Sequence, residues 1–262
     1  MTEKEMKKRR LKLLLGVAAC VLLMISDLLW KVKGNSSVST TLGAFADTAW
    51  LDIATWRLVL SNILTAAAVP LYYIGFMEMY RIIRERASSK LEKRLAMLFR
   101  VGVIAGTIAF LFIHTLCVSM PIILQLAEPG MGAIKAAELT NRYMMLNIVP
   151  MIGYFIAADG VISVVTAMLV WKKTLPFNRL ALLCNPLCTA AVGSVLAMLP
   201  WPLSLIDAIS EPCGHLLIVL LGLAIAAKDD RRMPRRRSGK DDGEQPPILN
   251  LDDEPDSDVT VI

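Results

Sequence analysis

Histidine is nearly absent from this chain: His114 and His215 are the only two in 262 residues. That scarcity excludes a His-Glu-x-x-His zinc motif outright. Aromatic residues are also few, at 6%. The five cysteines (Cys20, Cys117, Cys184, Cys188, Cys213) all fall within apolar runs, so no extracellular disulfide framework is available. Cys184 and Cys188 share a helix face at i,i+4, a spacing that suits a soft metal but more often marks small buried packing residues.

Long apolar runs are what the chain has in abundance. Hydrophobic residues make up 55% of it, a profile that fits a bundle of membrane helices rather than a large soluble domain. Six runs, at about 11–30, 56–80, 97–124, 144–171, 180–200 and 206–227, are each near or above the ~20 residues that cross ~30 Å of hydrocarbon. The sequence thus predicts an all-α, polytopic bundle of six transmembrane helices over residues 11–227. A basic N-terminus (1–10) precedes it and a disordered tail (228–262) follows, basic at first and then acidic. The first run is read as an uncleaved signal-anchor, since Ala44-Phe45-Ala46 lies too far beyond its apolar core to be a cleavage site.

Lysine and arginine give the orientation. With a cytoplasmic N-terminus, the outside segments hold only Lys31, Lys33, Arg57, Lys135 and Arg142, and all other basic residues face inward. Both termini are therefore placed in the cytoplasm. Topology explains the basic charge balance, and no nucleic-acid partner is needed. The basic inner segments, Arg81–Arg94 above all, predict contact with anionic lipids in addition to the bilayer itself.

The outer loop 31–55 repeats Leu42, Phe45, Ala49, Trp50, Ile53 and Trp56 at three-to-four spacing. It reads either as an interfacial helix with Trp50 and Trp56 at headgroup level, or as a plain loop with belt aromatics. Asn35-Ser36-Ser37 is a glycosylation sequon on that side. Glu128-Pro129-Gly130 signals a turn, and Gly102-x-x-x-Gly106 permits close helix approach.

Ionisable side chains inside these runs carry the functional signal. A central Asp costs roughly 2.5–3.5 kcal/mol on insertion, against a gain of about 0.5 for Leu. Measured from span midpoints, Asp159, His114 and His215 fall within roughly 3 Å of the midplane. Glu211 and Asn62 lie roughly 8 Å toward the outside, Asp27 about 10 Å, and Asp207 about 14 Å. Asp207, Glu211 and His215 recur at i, i+4 and i+8, a single helix stripe, and Pro212 invites local irregularity beside it. Asn185 and Ser61 read as helix-packing glue, and Glu78 as an inner-interface residue among arginines.

Four chemistries fit this set. The leading one is an outward-opening pocket that binds or translocates a small polar, cationic or lipid-headgroup ligand. Its residues are His114, Asp159, Glu211, His215 and Asn62, with Asp207 and Asp27 at the mouth. A metal centre on His114, Asp159, Glu211 and His215 would take Zn²⁺ or Mn²⁺ and support a membrane-embedded hydrolase. The three-histidine pattern of the ceramidase-like intramembrane hydrolases is absent, however. A metal-free acid–base enzyme acting on a lipid-like substrate, and a ligand-free scaffold with interhelical hydrogen bonds, complete the alternatives. Whether the chain is an enzyme stays open at this level, and a homo-oligomer is compatible with every reading.

Ile25-Ser26-Asp27-Leu28-Leu29 and Val69-Pro70-Leu71-Tyr72-Tyr73-Ile74-Gly75-Phe76 resemble stretches of uncharacterised bacterial multi-pass membrane families. That resemblance carries no activity with it, while the few aromatics and the basic cytoplasmic loops fit a bacterial cytoplasmic membrane.

Overall fold

A computed structural model describes residues 2–32, 41–42, 46–196, 198–199 and 205–232. Asn35–Ser37, Phe45 and the tail from residue 233 lie outside them. The described residues are almost entirely helical. Helix α1 spans Glu3–Lys31, α2 Thr55–Arg86, α3 Lys90–Leu146, α4 Ile148–Tyr154, α5 Val161–Trp171, α6 Pro186–Leu196 and α7 Leu205–Arg232. Phe155–Gly160 forms a π-helical turn that joins α4 to α5. Five helical stretches are long and apolar enough to cross a bilayer: α1, α2, α3, the joined Ile148–Trp171, and α7. The chain is on that ground an integral membrane protein.

Helix boundaries follow local chemistry more than hydropathy. Thr2 and Glu5 form a capping box, so α1 begins in the basic lead, eight residues before the apolar run. Ser89 and Glu92 do the same for α3, leaving only residues 87–89 between α2 and α3. The expected turn at Glu128-Pro129-Gly130 is helical, and the break falls at Gly132, whose φ of 77° suits a residue without a Cβ. At the other end α7 stays helical to Arg232, beyond the predicted boundary at 227.

The fifth apolar run departs most from expectation. Arg179–Leu183 is a short 3₁₀ helix, and α6 has 11 residues, about 16 Å at 1.5 Å per residue. Asn185 Oδ1 accepts the Cys188 N–H at 3.0 Å, and Pro186 occupies the first helical position. These are ordinary helix-start features, here set inside an apolar stretch. Asn185 is thus an N-cap rather than packing glue.

Ion pairs fix how the helices are arranged end to end. Arg10 reaches Asp230 at 2.7 Å, and Arg86 grips Asp229 with both oxygens at 2.8 and 2.7 Å. The start of α1 and the ends of α2 and α7 therefore share one end of the bundle. Glu78 lies near that end, accepting from Arg9, Lys12 and Arg81. At the opposite end Arg57 donates to the Val32 carbonyl, and Gln125 to those of Trp50 and Ile53.

The described residues of segment 31–55 form no long amphipathic helix. Thr41–Leu42 pairs antiparallel with Ala46–Asp47, and Thr48–Asp52 is a 3₁₀ helix capped by Asp47. Trp50 is only 6% exposed and packs with Ala136, Ala137 and Met144 of α3. Trp56, 62% exposed, is the aromatic free to meet the interface.

Close helix crossings occur at glycines. A Cβ on Gly75 would stand 2.4 Å from Gly16 Cα, so α1 and α2 touch backbone to backbone. Gly75→Ala is expected to lower stability in detergent by about 1–3 kcal/mol. Gly153→Ala, with nothing within 4 Å of its Cβ, should cost under ~1 kcal/mol. Thermal unfolding of both variants checks the contrast.

Candidate functional site: a carboxylate–imidazole cluster under a cleft

Two neighbouring turns of α7 present Glu211 and His215 on one face. Facing them, the π-helical turn projects Asp159 from the middle of the fourth apolar run. The turn sits close to α3 because Gly102 and Gly106 leave room for it. A Cβ on Gly102 would meet the Ala157 carbonyl at 3.0 Å, and one on Gly106 the Ala158 Cβ at 3.0 Å. Wider π turns re-aim a side chain that a regular helix would carry elsewhere. The irregular backbone expected at Pro212 therefore lies across the interface instead, while α7 runs as one helix through the proline.

His215 is anchored at both ring nitrogens. Nε2 lies 3.0 Å from Asp159 Oδ1, and Nδ1 lies 3.2 Å from the Tyr72 hydroxyl. Tyr154 donates to Glu211 Oε1 at 3.3 Å. Donor atoms of Asp159, Glu211 and His215 all fall within 4.8 Å of one another. Asp159 is only 2% exposed, yet its Oδ2 has no hydrogen-bond partner. A buried carboxylate oxygen that no protein donor meets carries a desolvation cost.

Above this cluster opens a cleft of about 260 Å³. Asp27, Lys31, His114, Cys117, Tyr154 and Glu211 line it, among several methionines and aromatic rings. Asp27 is paired with Lys31 at 2.8 Å and accepts from the Trp30 indole at 3.3 Å. Glu211 is thus the cleft carboxylate that no cationic side chain bonds within salt-bridge distance among the described residues.

His114 belongs to a separate network. Its Nε2 lies 2.9 Å from Ser61 Oγ and 3.1 Å from Ser26 Oγ, while its Nδ1 is 3.5 Å from Asp27. Ser26 also reaches Thr65 at 2.7 Å. This set ties α1, α2 and α3 together, and it leaves His114 outside the Asp159–Glu211–His215 group. The expected four-residue metal set is therefore three residues in this arrangement. Asp207 is exposed and does not line the cleft. Asn62 is half-buried, with its Oδ1 unpartnered, and is likewise not part of the lining.

Tyr72, Tyr154, Lys31 and Ser26 are contributors that sequence reasoning passed over. The tyrosines carry a signal in hindsight. Each is a hydroxyl well inside an apolar run, and a buried tyrosine usually finds a polar partner.

A family model described as "Family of unknown function (DUF6796)" matches residues 1–229. That segment contains the cluster, the cleft and the His114 network. No curated protein and no solved structure matches the chain.

Proposed function

The chain belongs to the DUF6796 family, and we propose that it binds or translocates a small cationic ligand through an outward-opening intramembrane pocket. The unpartnered Oδ2 of Asp159, buried beside His215 and beside Glu211, which lines the cleft, carries this reading. Two carboxylates in a low-dielectric site favour a positive charge, and the apolar cleft walls would accept the rest of a small amphipathic molecule. Lys31 sits at the cleft, but Asp27 already holds its ammonium. For His114 a second reading is favoured: with hydroxyls of two helices at Nε2, it is helix-joining structure.

The 3₁₀ segment Arg179–Leu183 and α6 together make a sixth, two-part crossing in this reading. An even number of crossings agrees with the Arg10–Asp230 pair, which brings the start of α1 and the end of α7 to one end. That end carries most of the basic residues, so both termini are cytoplasmic. Exposed Arg84, Lys90, Lys93 and Arg94 would meet anionic lipid there, whereas Arg81 and Arg86 are taken by protein carboxylates. A bacterial cytoplasmic membrane suits this arrangement.

Thermal unfolding of the purified full chain in detergent tests the pocket. The probes are tetramethylammonium, ethanolammonium, Mn²⁺ and Zn²⁺, with neutral ethylene glycol as control. At 100 times its dissociation constant, a binding cation should add about 2.7 kcal/mol of stability. The gain should vanish in the Asp159→Asn/Glu211→Gln double variant. No stabilisation by any cation, or equal stabilisation in the double variant, overturns the proposal.

A further inference from the structure

The cationic-pocket reading leaves open which cation belongs at its base, and the donor set narrows the choice. Building on that reading, we propose that Asp159, Glu211 and His215 form a binding site for a divalent first-row transition metal ion, Zn²⁺ or Mn²⁺.

Three different kinds of observation support the assignment. The first is donor geometry. One imidazole nitrogen and two carboxylate oxygens lie within 4.8 Å of one another. Donors around a tetrahedral ion with bonds of about 2.0–2.1 Å stand about 3.3 Å apart. Small rotamer adjustments of Glu211, the half-buried member, would close that gap. The second is the unpartnered Asp159 Oδ2, in a side chain 2% exposed. A metal bond would supply what no donor in the protein does.

The third is the arrangement behind the donors. Metal-bound histidines almost always engage their other ring nitrogen with a hydrogen-bonding partner, which sets the tautomer and the ring orientation. The Tyr72 hydroxyl stands at Nδ1 of His215, 3.2 Å away. In the ion-free protein an Nε2 proton can bond Asp159 Oδ1, 3.0 Å distant. With an ion on Nε2 the ring proton would sit on Nδ1 and be donated to Tyr72, as metal binding requires a free Nε2 lone pair. Tyr154, donating to Glu211 Oε1, orients the third donor in the same way.

Ligand type limits which ion fits. The imidazole favours a first-row transition ion over Mg²⁺ or Ca²⁺, and the absence of thiolate from the set argues against Cu⁺. Glu211 lines the cleft whereas Asp159 and His215 do not. A bound ion would therefore keep its open coordination position toward the cleft, where water or a ligand arrives.

Equilibrium dialysis of the full chain in detergent against Zn²⁺ or Mn²⁺, separately, followed by elemental analysis, tests the site. The expected result is about one ion per chain for at least one of the two metals. Binding should be lost in Asp159→Asn and in His215→Ala, and retained in Ser26→Ala, which alters only the His114 network. Tyr72→Phe, a positioning change, should weaken affinity by about 10–100-fold without altering stoichiometry. Circular dichroism of each variant establishes that it is folded. Absence of both metals from the wild type, or unchanged binding in folded Asp159→Asn and His215→Ala, overturns the metal site. If tetramethylammonium or ethanolammonium then still stabilises the protein through Glu211, the metal assignment alone has failed. If neither metals nor organic cations bind, the cationic pocket fails with it.

Discussion

Glu78→Ala should destabilise the protein by about 3–5 kcal/mol, the cost typical of breaking a buried ion pair from one side. Glu78 is 4% exposed and takes Arg9 Nε at 3.2 Å, Lys12 Nζ at 3.0 Å and Arg81 Nη1 at 3.0 Å. Arg9 is itself buried, although Glu85 also holds its guanidinium. Removing Glu78 strands the buried Arg9 guanidinium between α1 and α2, while Lys12 and Arg81 keep access to solvent. The exposed Glu3–Lys7 pair provides the contrast, since its loss should change stability by under ~1 kcal/mol. Pairing Glu78→Leu with Arg9→Met should recover much of the deficit, because desolvation of both charges disappears together. Thermal or dodecyl-sulfate unfolding of the single and double variants measures this. A cost below ~1 kcal/mol for Glu78→Ala would show that the cluster does not hold this end of the bundle.

Glu211→Gln should act in the opposite direction. Glu211 faces another carboxylate, Asp159, rather than a knot of cations. At an effective dielectric constant near 20, two ionised carboxylates at such separations would repel by a few kcal/mol, so the pair resists carrying both charges. Lys31 offsets part of this, but Asp27 already occupies it at 2.8 Å. The neutral amide should therefore stabilise the ligand-free protein by about 1–2 kcal/mol and erase stabilisation by added cation. Gain of stability with loss of binding is the signature of a site kept for function at a cost to the fold. Unfolding midpoints of wild type and Glu211→Gln, each with and without Mn²⁺ and ethanolammonium, give the stability difference and the response to each cation. A less stable Glu211→Gln that still responds to cation would mean that Glu211 is structural.

These two carboxylates also show what was legible in the sequence. Glu78 stood among arginines at the end of an apolar run, and the structure places it there. Glu211 and His215 were legible as a stripe because helical spacing of four residues survives in any regular helix. Asp159 was legible as an expensive residue at mid-depth, but its partner was not. The π turn that aims it has no composition of its own, and Phe155–Gly160 reads as ordinary helix. The separation of His114 from the Asp159–Glu211–His215 group was hidden for a similar reason, although His114 does line the cleft. Depth along a span says how far down a residue lies, and not which way its helix face turns. Ser26 and Ser61 decide that, by drawing the imidazole toward α1 and α2.

Helix lengths divide along the same line. Apolar length located five helices that can cross a bilayer, since hydropathy is summed over many residues and tolerates local detail. Over 180–200 it meets no single long helix, because Asn185-Pro186 starts a new helix inside the apolar run. That signal was present in the sequence and was outweighed by the hydropathy of its neighbours. Segment 31–55 shows the converse. Three-to-four spacing of Trp50 and Ile53 allowed either an interfacial helix or a plain loop, and the same residues are buried in one cluster with α3 residues.

Cys117 offers the most direct test of a cation-selective cleft opening outward, because it is a native thiol on the cleft wall. The variant to use keeps Cys117 and replaces the other four cysteines with alanine. Membrane-impermeant methanethiosulfonates, one cationic and one anionic, are added to intact cells, and the labelling rates are compared. The account predicts that the cationic reagent reacts at least about tenfold faster from outside, and that Glu211→Gln removes most of this preference. No labelling from outside, or equal rates for the two reagents, would contradict it.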